Sequence, residues 1–233
     1  MIDSTFDCSE FTSLVPYLEQ EKVLVQIGTN DGKDTFNKIV KYVSPSKVIL
    51  VEPNKTLNKE IRDCYADIPN VFIENVAITE RNEKFVKLMI PKRIVKYGKD
   101  GRHKKTVNGI KYISGCYSML PMDNWGTVFE SFKATTMTFT NLCKKHNLTH
   151  IHFLMIDTEG YDCEIIKTID FSKIKIDIIQ YEKWDFPVES FTRYGEKGKQ
   201  YGVAGMKYVA ELLTKQGYRF EEKEWDIIAI KND

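Results

Sequence analysis

The sequence has no run of roughly 18 consecutive apolar residues, the length a membrane-spanning helix needs. It also lacks a basic and then apolar leader over Met1 to Glu10, so neither a membrane span nor a secretory signal is expected. No CxxC pair is present. The five cysteines, Cys8, Cys64, Cys116, Cys143 and Cys163, are odd in number and widely spaced, which signals neither a disulfide framework nor a zinc site. Free thiols in a reducing cytoplasm are the expectation. Excess charge of one sign is missing too: 34 Lys and Arg against 33 Asp and Glu leave net +1, which argues neither for a nucleic-acid binder nor for an acidic tail. Internal repeats, low-complexity linkers and an HExxH motif are absent.

What remains is a chain of 233 residues, 42% hydrophobic, long enough to bury one sizeable core. We read one domain over residues 1–233, with a helical lead-in at 1–22 and an insert at 91–113. Short β-branched apolar runs alternate with stretches of helical period, which predicts a parallel sheet covered by helices on both faces. Strands are expected at Val23 to Ile27, Val48 to Val51, Val71 to Ile73, Ile151 to Ile156 and Ile176 to Tyr181. Phe36, Ile39, Val40 and Val43 form one stripe of a helix that Ser44-Pro45 would end. Asn54 is placed to cap the next helix, with Leu57, Ile61 and Tyr65 toward the sheet. A further amphipathic helix carries Val203, Met206, Val209 and Leu213, Gly217 stops it, and Tyr218 to Phe220 with Asp226 to Ile230 read as a C-terminal antiparallel hairpin.

The insert from Pro91 to Ile113 departs from the rest. It holds eight Lys and Arg and one acid, net +7, which leaves −6 for the remainder of the chain. Its glycines predict a mobile loop or a splayed hairpin. Such a patch suits phosphates, whether on an RNA, a nucleotide-sugar or a phosphorylated glycan, and simple solvation accounts for it as well.

Two constellations carry chemistry. After the first strand comes Gly28-Thr29-Asn30-Asp31-Gly32, and 24 residues beyond Gly28 the second strand ends in Glu52-Pro53-Asn54. A glycine turn between strand and helix lets backbone approach a ligand, and an acid closing the second strand can accept both ribose hydroxyls. The spacing is GxxxG. A dinucleotide pyrophosphate needs one more glycine, so S-adenosylmethionine is favoured over NAD, with a plain structural turn as the alternative. The second constellation is Ile156-Asp157-Thr158-Glu159-Gly160-Tyr161-Asp162, with Glu182 at the end of the next strand. In an open parallel sheet these strand ends face the ligand crevice. Asp157, Glu159 and Glu182 are therefore candidates for a general base or for steering a sulfonium cation, and Asp157 with Glu182 for holding a divalent cation, Mg or Mn. The structural alternative makes Asp157 or Asp162 a helix cap and pairs Glu182 with Lys183. His152 is a weaker base candidate, more readily read as a core histidine. His146 and His150 are no stronger.

The residues Val25 to Gly32, Val51 to Asn54, Asn75 to Ile78, a serine in Gly115 to Leu120 taken as Ser118, Phe153 to Gly160 and Ile179 to Glu182 together resemble the FkbM family of S-adenosylmethionine-dependent methyltransferases. The resemblance implies a seven-stranded Rossmann-like sheet with its last strand antiparallel. It also implies O-methylation, commonly of a sugar hydroxyl such as that of a deoxyhexose in a glycan. It further implies that Gly28, Thr29, Asn30, Asp31 and Gly32 hold the methionine part of S-adenosyl-L-methionine and Glu52 and Pro53 the ribose side. Asn75, Val76 and Ala77 would line the adenine pocket, Ser118 would join the site, and Asp157 would stand near the sulfonium. Gln26 occupies the place of the family's usual acid, where it can hydrogen-bond but brings no charge; Asp31 or Asp157 could supply it. Met155 replaces a common lysine. An RNA 2′-O-methyltransferase, a nicotinamide oxidoreductase and a cofactor-binding module without catalysis are the competing readings. The aromatic residues Phe153, Tyr161, Trp184, Phe186, Phe191 and Tyr194 crowd the crevice strands, and Arg193 to Gly202 reads equally as an acceptor lid or a solvated loop.

Overall fold

A computed structural model describes residues 22–94, 104–107, 110–113, 127–183, 203–223 and 225–232. Ser118, residues 1–21 of the lead-in at 1–22, Trp184, Phe186, Phe191, Tyr194 and the glycine-rich segment Arg193 to Gly202 lie outside the described residues.

The central sheet has seven strands: β1 (Val23–Ile27), β2 (Lys47–Val51), β3 (Val71–Glu74), β10 (His150–Ile156), β11 (Lys175–Glu182), β12 (Tyr218–Glu222) and β13 (Asp226–Lys231). Their order across the sheet is β12-β13-β11-β10-β1-β2-β3. Strand pairing is parallel from β3 to β11, and β13 runs antiparallel to both β11 and β12. The C-terminal hairpin therefore adds one reversed strand, β13, wedged between two that point the same way. The five parallel strands fall where apolar β-branched runs placed them, because strands buried on both faces read as nearly unbroken hydrophobic sequence.

Alternate side chains feed two cores. Leu24, Val48, Leu50 and Phe153 face α1 (Thr35–Val43) and α2 (Asn58–Cys64), where Phe36, Ile39, Val40 and Ile61 meet them. Val25, Ile27, Ile49, Val51, Leu154 and Ile156 face the other side, against α3 (Phe139–Lys145), α4 (Asp162–Lys167) and α5 (Val203–Lys215), with Val209 and Leu213 fully buried. Helix ends follow local chemistry. Asp34 caps α1 by accepting from the Asn37 N–H, and Ser44, at φ 51°, closes it with an N–H to the Val40 carbonyl just before Pro45. Asn54 caps a short 3₁₀ turn, Lys55–Leu57, that leads into α2. Gly217, at φ +79°, ends α5 as its position implied.

Between β3 and α3 lie β4 (Ala77–Ile78), β5 (Val86–Ile94), β6 (Lys104–Val107), β7 (Ile110–Ile113), β8 (Thr127–Ala134) and β9 (Thr136–Met137). β4 pairs with β9, β5 with β8 in a long antiparallel ribbon, and β6 with β7 in a hairpin. The described part of the basic insert is thus ladder and not an open loop. Its register slips between Pro91 and Arg93, where a proline cannot donate to the partner strand. Leu88, Ala134 and Ala77 pack together at the base of the ribbon and tie it to the sheet.

Candidate functional site

The strand ends of β1, β2 and β10 meet at one crevice. Gly28, at φ +91°, stands so close to β10 that a Cβ there would lie 1.7 Å from the Asp157 carbonyl oxygen. No side chain fits, whatever ligand is bound. Its N–H and that of Thr29 both donate to the Val51 carbonyl (2.9 and 3.2 Å), which folds the turn against β2. Gly32, at φ +76°, serves a different contact: a Cβ there would press on the Tyr65 ring at 3.2 Å. The two glycines of the GxxxG step are required first by packing among the chain's own elements.

Glu52 closes β2 with 1% exposure. One carboxylate oxygen accepts from the Asn54 N–H (2.7 Å), the other from the Asn30 N–H (2.9 Å), so a single side chain pins both loops. Burial pushes its pKa up to about 7, and the two N–H donors only partly offset that.

The cavity above these loops is lined by Ile27, Gly28, Asn30, Val51, Glu52, Pro53, Val76, Ala77, Ile78, Leu88, Asp157, Thr158, Glu159 and Tyr161. It is a shallow crevice open to solvent, with about 50 Å³ of room for the centre of a water-sized sphere. The sequence-derived candidates divide accordingly. Gly28, Asn30, Glu52, Pro53, Val76, Ala77, Asp157 and Glu159 reach the cavity. Gln26, Thr29, Asp31, Gly32, Asn75 and Glu182 are not among its lining residues. Gln26 is fully buried on the α1 side, where its Nε2 donates to Asp34 Oδ2 (2.6 Å) and contacts the Met155 sulfur at 3.9 Å. Asp31 pairs with Lys33 (3.2 Å). Asn75 acts from behind, its Nδ2 donating to the Glu52 carbonyl (2.9 Å) while its amide pairs with Asn58.

Sequence reasoning missed two sets of residues. The apolar wall formed by Ile27, Val51, Ile78 and Leu88 was hidden because these residues read as ordinary core. Asp34, the acid that stands beside Gln26, drew no reading in the sequence; burial raises its pKa.

At the second constellation, Asp157 is exposed to the cavity although it stands deep in the fold. Desolvation raises its pKa well above the usual carboxylate value, and the charges of Glu159, Asp162, Asp226 and Asp34 add to the rise. Asp162 is structural. Its Oδ1 accepts from the Thr158 N–H (2.8 Å) and from the Thr158 hydroxyl, and its Oδ2 accepts from the Glu182 N–H (2.9 Å), which staples β10 to β11. Burial lifts it to about 6. Glu159, at φ 54°, and Gly160, at φ 99°, make the sharp turn between β10 and α4. Lys183 pairs with Glu222 (3.0 Å). Because Ile156 pairs with Tyr181, and Glu182 with Asp226, the carboxylates Asp157, Glu182 and Asp226 stand level across three adjacent strands.

The divalent cation expected at Asp157 and Glu182 gains no support. Among the described residues, the one group of three side chains close enough to share an ion is His150, His152 and Asp177, at the opposite ends of β10 and β11. The His150-x-His152 step had carried no metal expectation, and its hydrogen bonds argue against one. The Val23 N–H donates to His152 Nδ1 (3.0 Å), so the proton of the neutral ring sits on Nε2 and leaves no free nitrogen for a metal. Asp177 is already held by His150 (2.7 Å) and Lys175 (3.1 Å). This position, about 17 Å along the strand from Asp157, also removes His152 as a base.

The model of the methyltransferase FkbM domain matches residues 26–220, most of the chain. The chain belongs to the FkbM methyltransferase family. Solved structures of similar fold include the FkbM methyltransferase of Methylobacillus flagellatus KT, 10% identical, with a TM-score of 0.46 over 91% of this chain and 43% of that one. Precorrin-6y C5,15-methyltransferase from Geobacter metallireducens GS-15 is 13% identical, with a TM-score of 0.43 over 94% and 85% of the two chains. Aeropyrum pernix fibrillarin, with natively bound S-adenosyl-L-methionine, is 9% identical, with a TM-score of 0.42 over 91% and 68%. No curated protein matches the chain. This FkbM-family protein is an S-adenosylmethionine-dependent methyltransferase. No helix among its described residues is long and apolar enough to cross a membrane.

Proposed function

We propose that this methyltransferase alkylates a sugar hydroxyl, with Asp157 as the general base. The observation that carries the reading is the placement of Asp157: it opens to the cavity, touches the Gly28 turn through its carbonyl, and has a raised pKa. A sugar hydroxyl is a poor nucleophile at neutral pH, so a positioned base is needed.

The residues fit the cofactor. Glu52 presents a desolvated carboxylate at the cavity with one lone-pair direction on each oxygen still free for a ribose hydroxyl. Val76, Ala77, Ile78 and Leu88 offer an apolar wall to the adenine, and Pro53 with Asn30 borders the ribose. When bound, S-adenosylmethionine supplies an electrophilic methyl on a sulfonium whose leaving group is neutral. The chain then has to align the acceptor oxygen and keep water out. Asp157 would take the hydroxyl proton, leaving the oxygen free to accept the methyl group as its bond to sulfur breaks. Its raised pKa makes it a stronger base once ionised, so turnover rises with pH through its titration. Glu159, at the cavity wall, and Glu182, one strand away, are placed to accept neighbouring hydroxyls.

The row formed by Asp157, Glu182 and Asp226 repels an anionic acceptor and admits a neutral polyol. One observation favours a second reading. The strands β5 to β8 carry seven Lys and Arg (Lys87, Lys92, Arg93, Lys104, Lys105, Lys111, Lys133) against Glu130, which suits a phosphate-bearing acceptor such as RNA. Incubation of the protein with methyl-labelled cofactor and panels of glycans and RNAs, with and without chelator, separates the readings. Label in glycans, insensitive to chelator, is expected. Label confined to RNA would overturn the sugar reading.

A further inference from the structure

At the crevice end of β2 and β3 the last backbone rung runs from the Glu52 N–H to the Glu74 carbonyl (2.9 Å). In a parallel ladder the next donor to Glu52 would be the N–H of Val76. A side chain makes that rung instead: Asn75 Nδ2 donates to the Glu52 carbonyl (2.9 Å), and Val76 lines the cavity. The same Nδ2 donates to Asn58 Oδ1 (2.8 Å), and Asn58 Nδ2 donates back to Asn75 Oδ1 (2.9 Å). The paired amides have one orientation, because turning both over would set the Asn75 oxygen against the Glu52 carbonyl.

Asn58 brings its rigidity from outside the site. It opens α2, whose Ile61 is fully buried in the core shared with α1. Asn75 is held from its other side as well, its backbone carbonyl accepting from the Thr135 hydroxyl (3.3 Å). Pro53, without an N–H, adds no rung of its own. The backbone of Glu52 is therefore tied to a core helix through two amide groups in series. Its carboxylate holds the Asn30 and Asn54 N–H groups, so a shift of this one residue moves both loops that border the crevice. Recognition tolerates little of that, since a displacement of about 1 Å is enough to spoil an aligned contact.

We propose that Asn58, which is not among the residues lining the cavity, is a positioning residue for the cofactor: acting through Asn75, it sets the Glu52 carboxylate where the ribose hydroxyls meet it. This rests on the reading above that Glu52 accepts from the ribose.

The test is calorimetry of the full chain with S-adenosylhomocysteine and with its 2′-deoxy and 3′-deoxy analogues. Wild-type protein is expected to favour the parent compound over at least one analogue by about tenfold. Asn58→Ala should lose about five- to tenfold in affinity for the parent and little for that analogue, so the preference collapses. Asn58→Asp, which keeps the oxygen that Asn75 Nδ2 meets, should lose less. Asn58→Ser, suited to a first helical turn but too short to pair with the amide, should behave as the alanine variant does and replaces it if that variant fails to fold. Asn58→Ala added to Asn75→Ala should weaken binding no further than Asn75→Ala alone, as befits a residue acting through another. If the variants keep the full preference, or lose equally for parent and analogue, the inference falls and the ribose reading stands. Wild-type protein that binds the parent and both analogues alike overturns the ribose reading and the inference with it.

Discussion

The two ends of one sheet treat charge in opposite ways. Where β10 and β11 begin, Asp177 is hydrogen-bonded to His150 (2.7 Å) and neutralised by Lys175 at 3.1 Å, and His152 is kept uncharged, its pKa lowered to about 4 chiefly by burial. Where the same strands end, Asp157 is surrounded by Glu159, Asp162, Asp226 and Asp34, and each raises its pKa further. The first arrangement stabilises the fold. The second costs stability, and such strain is typically retained where chemistry needs a poised group. Cofactor and acceptor belong at the end where like charges are crowded.

The sharpest way to break this contrast is Asp157→Asn. Removing the base should lower turnover by about 10²- to 10⁴-fold while affinity for S-adenosylhomocysteine stays unchanged, read by single-turnover kinetics beside calorimetry. Wild-type turnover would take Asp157 off the reaction. Next comes Gly28→Ala, whose methyl group collides with the Asp157 carbonyl. We expect about 3 kcal/mol or more of destabilisation in urea unfolding, and an unperturbed variant would mean that the two strand ends are not in contact. Glu52→Ala should weaken S-adenosylhomocysteine binding by about 10- to 100-fold, since a charged acceptor is lost.

A smaller effect is expected from pH alone. Glu52 has a folded pKa of about 7 against an ordinary 4.5, so above pH 4.5 the folded state holds protons that the unfolded state has released. Stability therefore falls as pH rises through this window. Between pH 8 and 6.5 the Glu52 carboxyl should add about 1 kcal/mol to the cofactor-free protein, partly offset near pH 6.5 by His152, whose folded pKa of about 4 lies below its ordinary 6.5. Glu52→Ala should show a smaller gain in the same urea titrations. The smallest change is at the neutralised end. Asp177→Asn should cost about 1 kcal/mol and leave turnover alone; a fall in turnover would erase the distinction between the ends.

Most of the sheet was legible because its signal is redundant. An unbroken run such as Ile151 to Ile156, closed by Asp-x-Glu-Gly, has few other ways to be buried. The C-terminal hairpin was equally plain, although only pairing reveals that β13 alone is reversed. Site residues were legible where a charged side chain interrupts an apolar run, as at Glu52 and Asp157. Direction was not. Gln26 and Asn30 lie four residues apart on the same strand and turn, yet Gln26 points to Asp34 and Asn30 to the cavity, a matter settled by which side of the sheet each backbone position faces. Gly28 was read as clearance for a ligand, while the nearest obstacle is the chain's own carbonyl. The insert was hardest to read, because a two-stranded ribbon with a small core leaves little periodic trace.

The reversal of β13 also bears on how such a site can diversify. Parallel strands deliver only their last residues to the crevice, and each is committed to a crossing helix that must pack on the sheet. β13 delivers its first residue, Asp226, with nothing but a tight turn before it. That turn can lengthen or change sequence while the ladder behind it stays in register. Sequence change at this tip is thereby uncoupled from the core.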